Sequence, residues 1–155
     1  MVEMPRIASF SVDHNLLQPG LYLSRHDRDV MTYDLRMKKP NVDRVMSTGS
    51  VHTLEHIVAT YLRAYDTRQQ IIYFGPMGCR TGFYLLVFAD LSAEKVRESL
   101  LAAFIYAAEF SGAVPGASAA ECGNFTDMDL DAARFDAANY VKVLQGLTGE
   151  RWFKY

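Results

Sequence analysis

Apolar residues recur along this chain with two different periods. From Val30 to Lys38 they alternate, with Met31, Tyr33, Leu35 and Met37 on one side and Thr32, Asp34, Arg36 and Lys38 on the other. A period of two belongs to a strand with one buried face, and it places Arg36 on the polar face. From about Ser50 to Tyr65 the period lengthens. Leu54, Ile57, Val58, Tyr61, Leu62 and Tyr65 form one stripe at i, i+3, i+4, i+7 spacing, which predicts an amphipathic helix capped by Ser50 or Thr48. The same spacing predicts a helix over about 93 to 110, capped by Ser92, with Val96, Leu100, Leu101, Phe104, Ala107 and Ala108 inward. It predicts another over about 128 to 145, with Leu130, Ala133, Ala137, Tyr140, Val141 and Leu144 inward and Gly146 as its C-terminal cap.

Shorter apolar runs complete the pattern. Ser9 to Asn15 reads as extended and is closed by the turn signal Pro19-Gly20; Leu21 to Leu23 is a short strand and Arg25 to Asp29 a charged turn. Gln70 to Phe74 and Gly82 to Ala89 read as strands on either side of Gly75-Pro76-Met77-Gly78-Cys79, which leaves Cys79 at the tip of an accessible loop. The order β, β, α, β, β, α, α predicts one α+β domain over residues 1–155, a largely antiparallel sheet covered by helices.

Composition narrows the function classes. The 155 residues are 50% hydrophobic and 22% charged with a formal net charge of −2, and no basic run or stripe suggests nucleic acid or an anionic membrane. No segment approaches the roughly 18 to 20 consecutive apolar residues that span a bilayer. The start, Met1-Val2-Glu3-Met4-Pro5-Arg6, lacks the pattern of a secretion signal, so the expected location is the cytoplasm. There the two cysteines, Cys79 and Cys122, are expected as free thiols, metal ligands or reactive groups, ahead of a disulfide.

The candidate chemistry lies on the face of the 50–65 helix opposite its apolar stripe. His52, Glu55, His56, Ala59 and Arg63 share that face, and residues four apart stand one turn above each other. His52 and His56 can therefore point at one metal ion with Glu55 beside them, the H-x-x-E-H arrangement of some zinc sites. Two imidazoles are an incomplete set. Cys122 suits the third position by type, leaving a fourth open for water or substrate, though a loop cysteine serves equally well as an inert thiol. Two functions fit these residues by themselves: a small metallopeptidase in which Glu55 activates water, or a metal-binding module without catalysis.

Five separate motifs extend the pattern. His52-Thr53-Leu54-Glu55-His56, Pro76-Met77-Gly78-Cys79-Arg80-Thr81-Gly82, Cys122-Gly123, Asp13-His14-Asn15 and Asp34-Leu35-Arg36 together resemble S-ribosylhomocysteine lyase, the LuxS family, in order and across nearly the whole chain. The resemblance implies that His52, His56 and Cys122 hold a divalent metal, Fe(II) in the family and replaceable by Zn(II) or Co(II). It implies Glu55 and Cys79 as an acid–base pair, with Ser9, His14 and Arg36 lining the ribose pocket and Arg63 near the homocysteine carboxylate. It also implies a homodimer with sites at the subunit interface. The implied reaction moves the sugar carbonyl from C1 to C3 through enediolates and then expels homocysteine by β-elimination, leaving 4,5-dihydroxy-2,3-pentanedione, the autoinducer-2 precursor. Ionisation of Cys79 calls for a positive local field, which Arg80, the metal and backbone amides are expected to supply.

Taken outside the family, His14 reads as a turn histidine, Ser9 as a strand serine, and Arg36 and Arg63 as solvated surface residues. The chain also departs from the family pattern. Tyr73 and Gly75 stand where an aspartate and a serine are usual, the segment from Leu21 to Tyr33 is short, and Met37-Lys38 replaces a cysteine after the arginine. These changes bear on the edge of the pocket and leave its chemical centre intact.

Overall fold

The computed structural model describes residues 4–5, 7–65, 68–148 and 154–155. Met1 to Glu3 and Arg6, read above for a secretion signal, lie outside the described residues. Strands β1 (Gly20–Asp27) and β2 (Val30–Arg36) precede helix α1 (Thr48–Ala64); β3 (Ile71–Pro76) and β4 (Gly82–Phe88) follow, then α2 (Ala93–Glu109) and α3 (Leu130–Gly146). The four strands form one antiparallel sheet in the order β1-β2-β4-β3. The expected α+β architecture and its element order are present. No helix among the described residues is long and apolar enough to cross a membrane.

Strand alternation decides which sheet face meets the helices. Tyr33 and Leu35 of β2, with Phe83, Leu85 and Val87 of β4, are buried in one apolar core with Leu54, Ile57, Val58 and Leu62 of α1, Leu100 and Phe104 of α2, and Tyr140 and Leu144 of α3. Tyr140 also donates its hydroxyl to the Gly20 carbonyl at 2.9 Å, which ties α3 to the edge strand. The opposite face carries Thr32, Asp34 and Arg36 of β2 paired with Leu86, Tyr84 and Gly82 of β4. Its lower half is apolar and accessible: Tyr73 and Phe88 are exposed, while Tyr84 and Leu86 are partly so.

Several local expectations are corrected. The stretch from Ser9 to Asn15 is not extended; a 3-10 turn spans Ala8–Phe10, and Asp13 accepts from the Asn15 amide at 2.9 Å to start another turn. β1 runs through the charged stretch to Asp27, because Arg25, His26 and Asp27 pair through their backbones with Thr32, Met31 and Val30 while their side chains stay in solvent. Charged side chains suit an edge strand. The turn shrinks to Arg28-Asp29, with Arg28 at φ 57°. α1 is capped by Ser47, whose side chain accepts from the Ser50 amide, so neither Thr48 nor Ser50 is the cap. Gly146 is the last residue of α3 and Leu147 follows as the cap, in an extended conformation that needs no glycine.

One buried polar network joins three segments of the helix-covered side. Asp136 of α3 accepts from Lys38 Nζ at 2.6 Å and from Ser50 Oγ at 2.6 Å. Removing the carboxylate strands a buried hydroxyl and an ammonium. Asp136→Ala is therefore expected to lower unfolding free energy by about 2–4 kcal/mol, read as a lower urea midpoint at unchanged m-value.

Candidate active site

The helix periodicity that aligns His52, Glu55 and His56 is realised in α1, and the loop between α2 and α3 folds back over that face. His52, His56 and Cys122 bring one donor atom each to within 4.8 Å of one another, with Cys122 Sγ 3.3 Å from His52 Nε2. The far side of each ring is engaged. His56 Nδ1 lies 2.7 Å from the Pro115 carbonyl, which can only accept, so Nδ1 carries the hydrogen and Nε2 presents its lone pair to the cluster. His52 Nδ1 faces Asp127 at 3.8 Å. The Asn124 amide donates to Cys122 Sγ at 3.5 Å.

This donor set fits a divalent transition metal: two imidazoles and one sulfur converge on one point, and the Pro115 carbonyl holds the orientation and tautomer of His56. Two glycines make the arrangement possible. Gly116, at φ +68°, passes so close to His56 that a Cβ there would lie 3.2 Å from Nδ1. A Cβ on Gly49 would meet the Asp127 carbonyl at 2.6 Å, so glycine lets the 3-10 turn Phe125–Asp127 seat against the start of α1 and bring Asp127 to His52. Glu55 is partly buried on the same helix face, with no hydrogen-bond or ion-pair partner among the described residues.

The second cluster lies at the open end of the other sheet face. A cavity of 350 Å³ is lined by Ser9, His14, Asp34, Arg36, Cys79 and Tyr84, among others. Cys79 is an exposed free thiol in the β3–β4 loop, as expected, 3.0 Å from Thr81 Oγ1. The nearby cation is Arg36 and not Arg80. Arg36 Nη1 donates to Thr81 Oγ1 at 2.7 Å and stands 4.0 Å from Cys79 Sγ, whereas Arg80 turns back to donate to the Met46 carbonyl.

Arg36 is not a solvated face residue either. It is 3% exposed and pairs with Asp34, itself 1% exposed. Burial pushes the Asp34 carboxyl up, against the opposing pull of the Arg36 guanidinium. Asp34 and Thr81 stood inside recognisable motifs, yet their roles beside Arg36 depend on the β2–β4 register. The supports supplied by Asp127 and the Pro115 carbonyl had no signal in the sequence at all.

The remaining residues divide between the two regions. His14 is partly buried, its Nδ1 2.9 Å from the Val12 carbonyl, and joins Ser9 at the thiol pocket. Arg63 is exposed and donates to the Ile72 carbonyl at 3.3 Å, which puts it beside β3. There Tyr73 folds over Gly75; a Cβ at Gly75 would fall 1.9 Å from the Tyr73 hydroxyl, so the two departures from the family pattern accommodate each other. Among the described residues, the lining of the thiol pocket includes none of His52, Glu55, His56 or Cys122.

Comparison with known proteins bears on both clusters. Residues 7–149 match the family model described as S-Ribosylhomocysteinase (LuxS). A protein of Desulfotalea psychrophila named S-ribosylhomocysteine lyase is 46% identical over 157 residues, covering 98% of this chain and 99% of its own length. Proteins of the same name from Clostridium acetobutylicum and Borreliella burgdorferi are 44% and 41% identical, covering 96% and 95% of this chain and 97% of their own lengths. With its histidine–cysteine cluster, its loop thiol and a match that runs almost end to end, this chain belongs to the S-ribosylhomocysteinase (LuxS) family.

Proposed function

We propose that this protein is a lyase that cleaves the thioether of S-ribosylhomocysteine to homocysteine and 4,5-dihydroxy-2,3-pentanedione. The observation that carries this reading is the convergence of His52, His56 and Cys122 on one point, in a chain whose relatives bear the lyase name. In this reading those three residues hold one divalent metal, Fe(II), with Zn(II) or Co(II) as substitutes. When bound, the ion supplies Lewis acidity to neighbouring oxygens of the opened sugar and so acidifies the carbon between them.

The chain's own groups do the rest. Cys79, held by Thr81 and facing Arg36, removes a proton from one sugar carbon and returns it to the adjacent carbon, so the carbonyl migrates from C1 to C2 and then to C3. Glu55 exchanges protons with the hydroxyl and carbonyl oxygens during each transfer. With the carbonyl at C3, loss of the C4 proton expels the homocysteine sulfur from C5 with its bonding electrons. The sulfur takes up a proton, and the C4–C5 enol left behind gains a proton at C5 and loses its hydroxyl proton to give 4,5-dihydroxy-2,3-pentanedione. Ser9, His14 and Arg36 orient the sugar chain, while Arg63 receives the homocysteine carboxylate.

We assign the site to a homodimer. Support comes from two features: the thiol pocket and the metal cluster occupy different regions of one chain, and the sheet face beyond the thiol pocket exposes Tyr73 and Phe88 beside the partly exposed Tyr84 and Leu86. An accessible apolar face of this kind is covered when a second copy packs on it. A reducing cytoplasm suits a protein whose two thiols both have work to do as thiols.

The test is homocysteine release from S-ribosylhomocysteine, followed with a thiol reagent, before and after chelation and with Fe(II), Zn(II) or Co(II) restored. Thiol release that vanishes on chelation and returns with the metal supports the lyase. Peptide hydrolysis in its place supports a metallopeptidase, and metal uptake without either reaction a binding module.

A further inference from the structure

Tyr155 lies 121 residues from Asp34 in sequence, yet its hydroxyl donates to Asp34 Oδ2 at 2.9 Å. The same oxygen accepts from Arg36 Nη2, while Asp34 Oδ1 and Arg36 Nε, both buried, have no hydrogen-bond partner among the described residues. The guanidinium is thus held at two points, by Asp34 through Nη2 and by Thr81 through Nη1. With one carboxylate oxygen unanchored, the direction of Asp34 depends on what else grips the other. The tyrosine ring is itself held in place, stacked on Tyr22 at 4.9 Å and 10°, and Tyr22 donates its hydroxyl to the Gln18 carbonyl at 3.0 Å.

Tyr155 also forms a wall. Together with Val12 it lines both the 350 Å³ thiol pocket and a neighbouring 390 Å³ cavity bounded by Leu16, Leu17 and Tyr22. Resting on the lyase reading, we infer that Tyr155 is a positioning residue: its hydroxyl fixes Asp34 so that Arg36 faces Cys79 and Thr81, and its ring closes the substrate pocket on one side. The charged and titratable groups around this relay, among the described residues, are Asp34 and Arg36 from β2, Tyr84 from β4, Cys79 from the β3–β4 loop, Asp13 and His14 from the N-terminal turns, Tyr22 from β1 and Tyr140 from α3. Donation from a neutral hydroxyl disperses the Asp34 charge. Without it the carboxylate pairs more fully with Arg36, and the positive field at the Cys79 sulfur falls.

The experiment compares metal-loaded wild type, Tyr155→Phe and Tyr155→Leu by two readouts: steady-state homocysteine release, and the pH profile of Cys79 alkylation by iodoacetamide, followed on its own peptide. Tyr155→Phe is expected to lower kcat about tenfold, the loss of one hydrogen bond to a charged group, with little change in KM and a Cys79 alkylation midpoint moved to higher pH. Tyr155→Leu, which also removes the wall, is expected to raise KM as well. A Phe variant with wild-type kcat, or one whose loss of rate comes with an unmoved alkylation profile, overturns the inference. Wild type that releases no homocysteine, while Tyr155→Phe still moves the profile, overturns the lyase reading and upholds the relay.

Discussion

Cys79→Ala is expected to reduce homocysteine release by about 10³- to 10⁴-fold while the protein keeps its full complement of metal. The size of the effect follows from the proposed role: one group both removing and returning the protons of successive carbonyl shifts, where a positioned acid–base residue contributes about 10²- to 10⁴-fold in a single step. Retention of metal follows from geometry. Cys79 is in the thiol pocket with Arg36 and Thr81, whereas the candidate ligands His52, His56 and Cys122 are in the other cluster. Stopped-flow thiol release and metal analysis of the same preparation check both halves. A variant that loses its metal with its activity would make Cys79 a ligand or a structural prop, and a variant that keeps turning over would remove it from the chemistry.

The second prediction concerns subunits. His52→Ala removes a proposed ligand, Cys79→Ala a proposed base, and each variant alone is expected to be inactive. If the thiol of one copy works with the metal of the other, a mixed dimer has one intact site and one doubly damaged site. Random exchange makes half of the dimers mixed, so activity is expected to return to about a quarter of the wild-type value per subunit. Sites contained within single chains would give no recovery from mixing. The contrast is large because it compares near silence with a readily measured rate, and it needs no assumption about the rate-limiting step. The exposed apolar sheet face carrying Tyr73 and Phe88 gives a second check: Phe88→Glu should weaken the dimer and abolish the recovery together.

Arg36 shows why the spatial neighbours of a candidate catalytic group are hard to name in advance. Arg80 is adjacent to Cys79 in the chain, and on that ground it is expected, with the metal and backbone amides, to supply positive charge. In the fold Arg80 takes φ 58° and turns its guanidinium to the Met46 carbonyl. Arg36, 43 residues away, reaches Cys79 because β2 and β4 pair with Arg36 opposite Gly82. A Cβ on Gly82 would come within 2.0 Å of the Leu35 carbonyl, so the missing side chain lets the strands close at that point. Burial then changes the meaning of Arg36 from a surface cation to one half of an enclosed ion pair with Asp34.

Periodicity along the chain determines which side chains share a face, whereas the cap of α1, the extent of β1 and the turns within Ser9 to Asn15 did not follow from it. Side chains on a helix repeat every 3.6 residues and those on a strand every two, so the shared face of His52, Glu55 and His56, and the opposite faces of Leu35 and Arg36, are local consequences of backbone geometry. Residue type and loop position offered Cys79 and Cys122 as candidates, and the family motifs supplied their expected roles. Partners separated by tens of residues were settled by folding alone: the Pro115 carbonyl behind His56, Asp127 behind His52, Tyr155 on Asp34, and the separation of the metal cluster from the thiol pocket. Those contacts depend on sheet register, on the path of the loop between α2 and α3, and on how charge is desolvated when strands and helices meet, none of which is encoded in the spacing of residues along the chain.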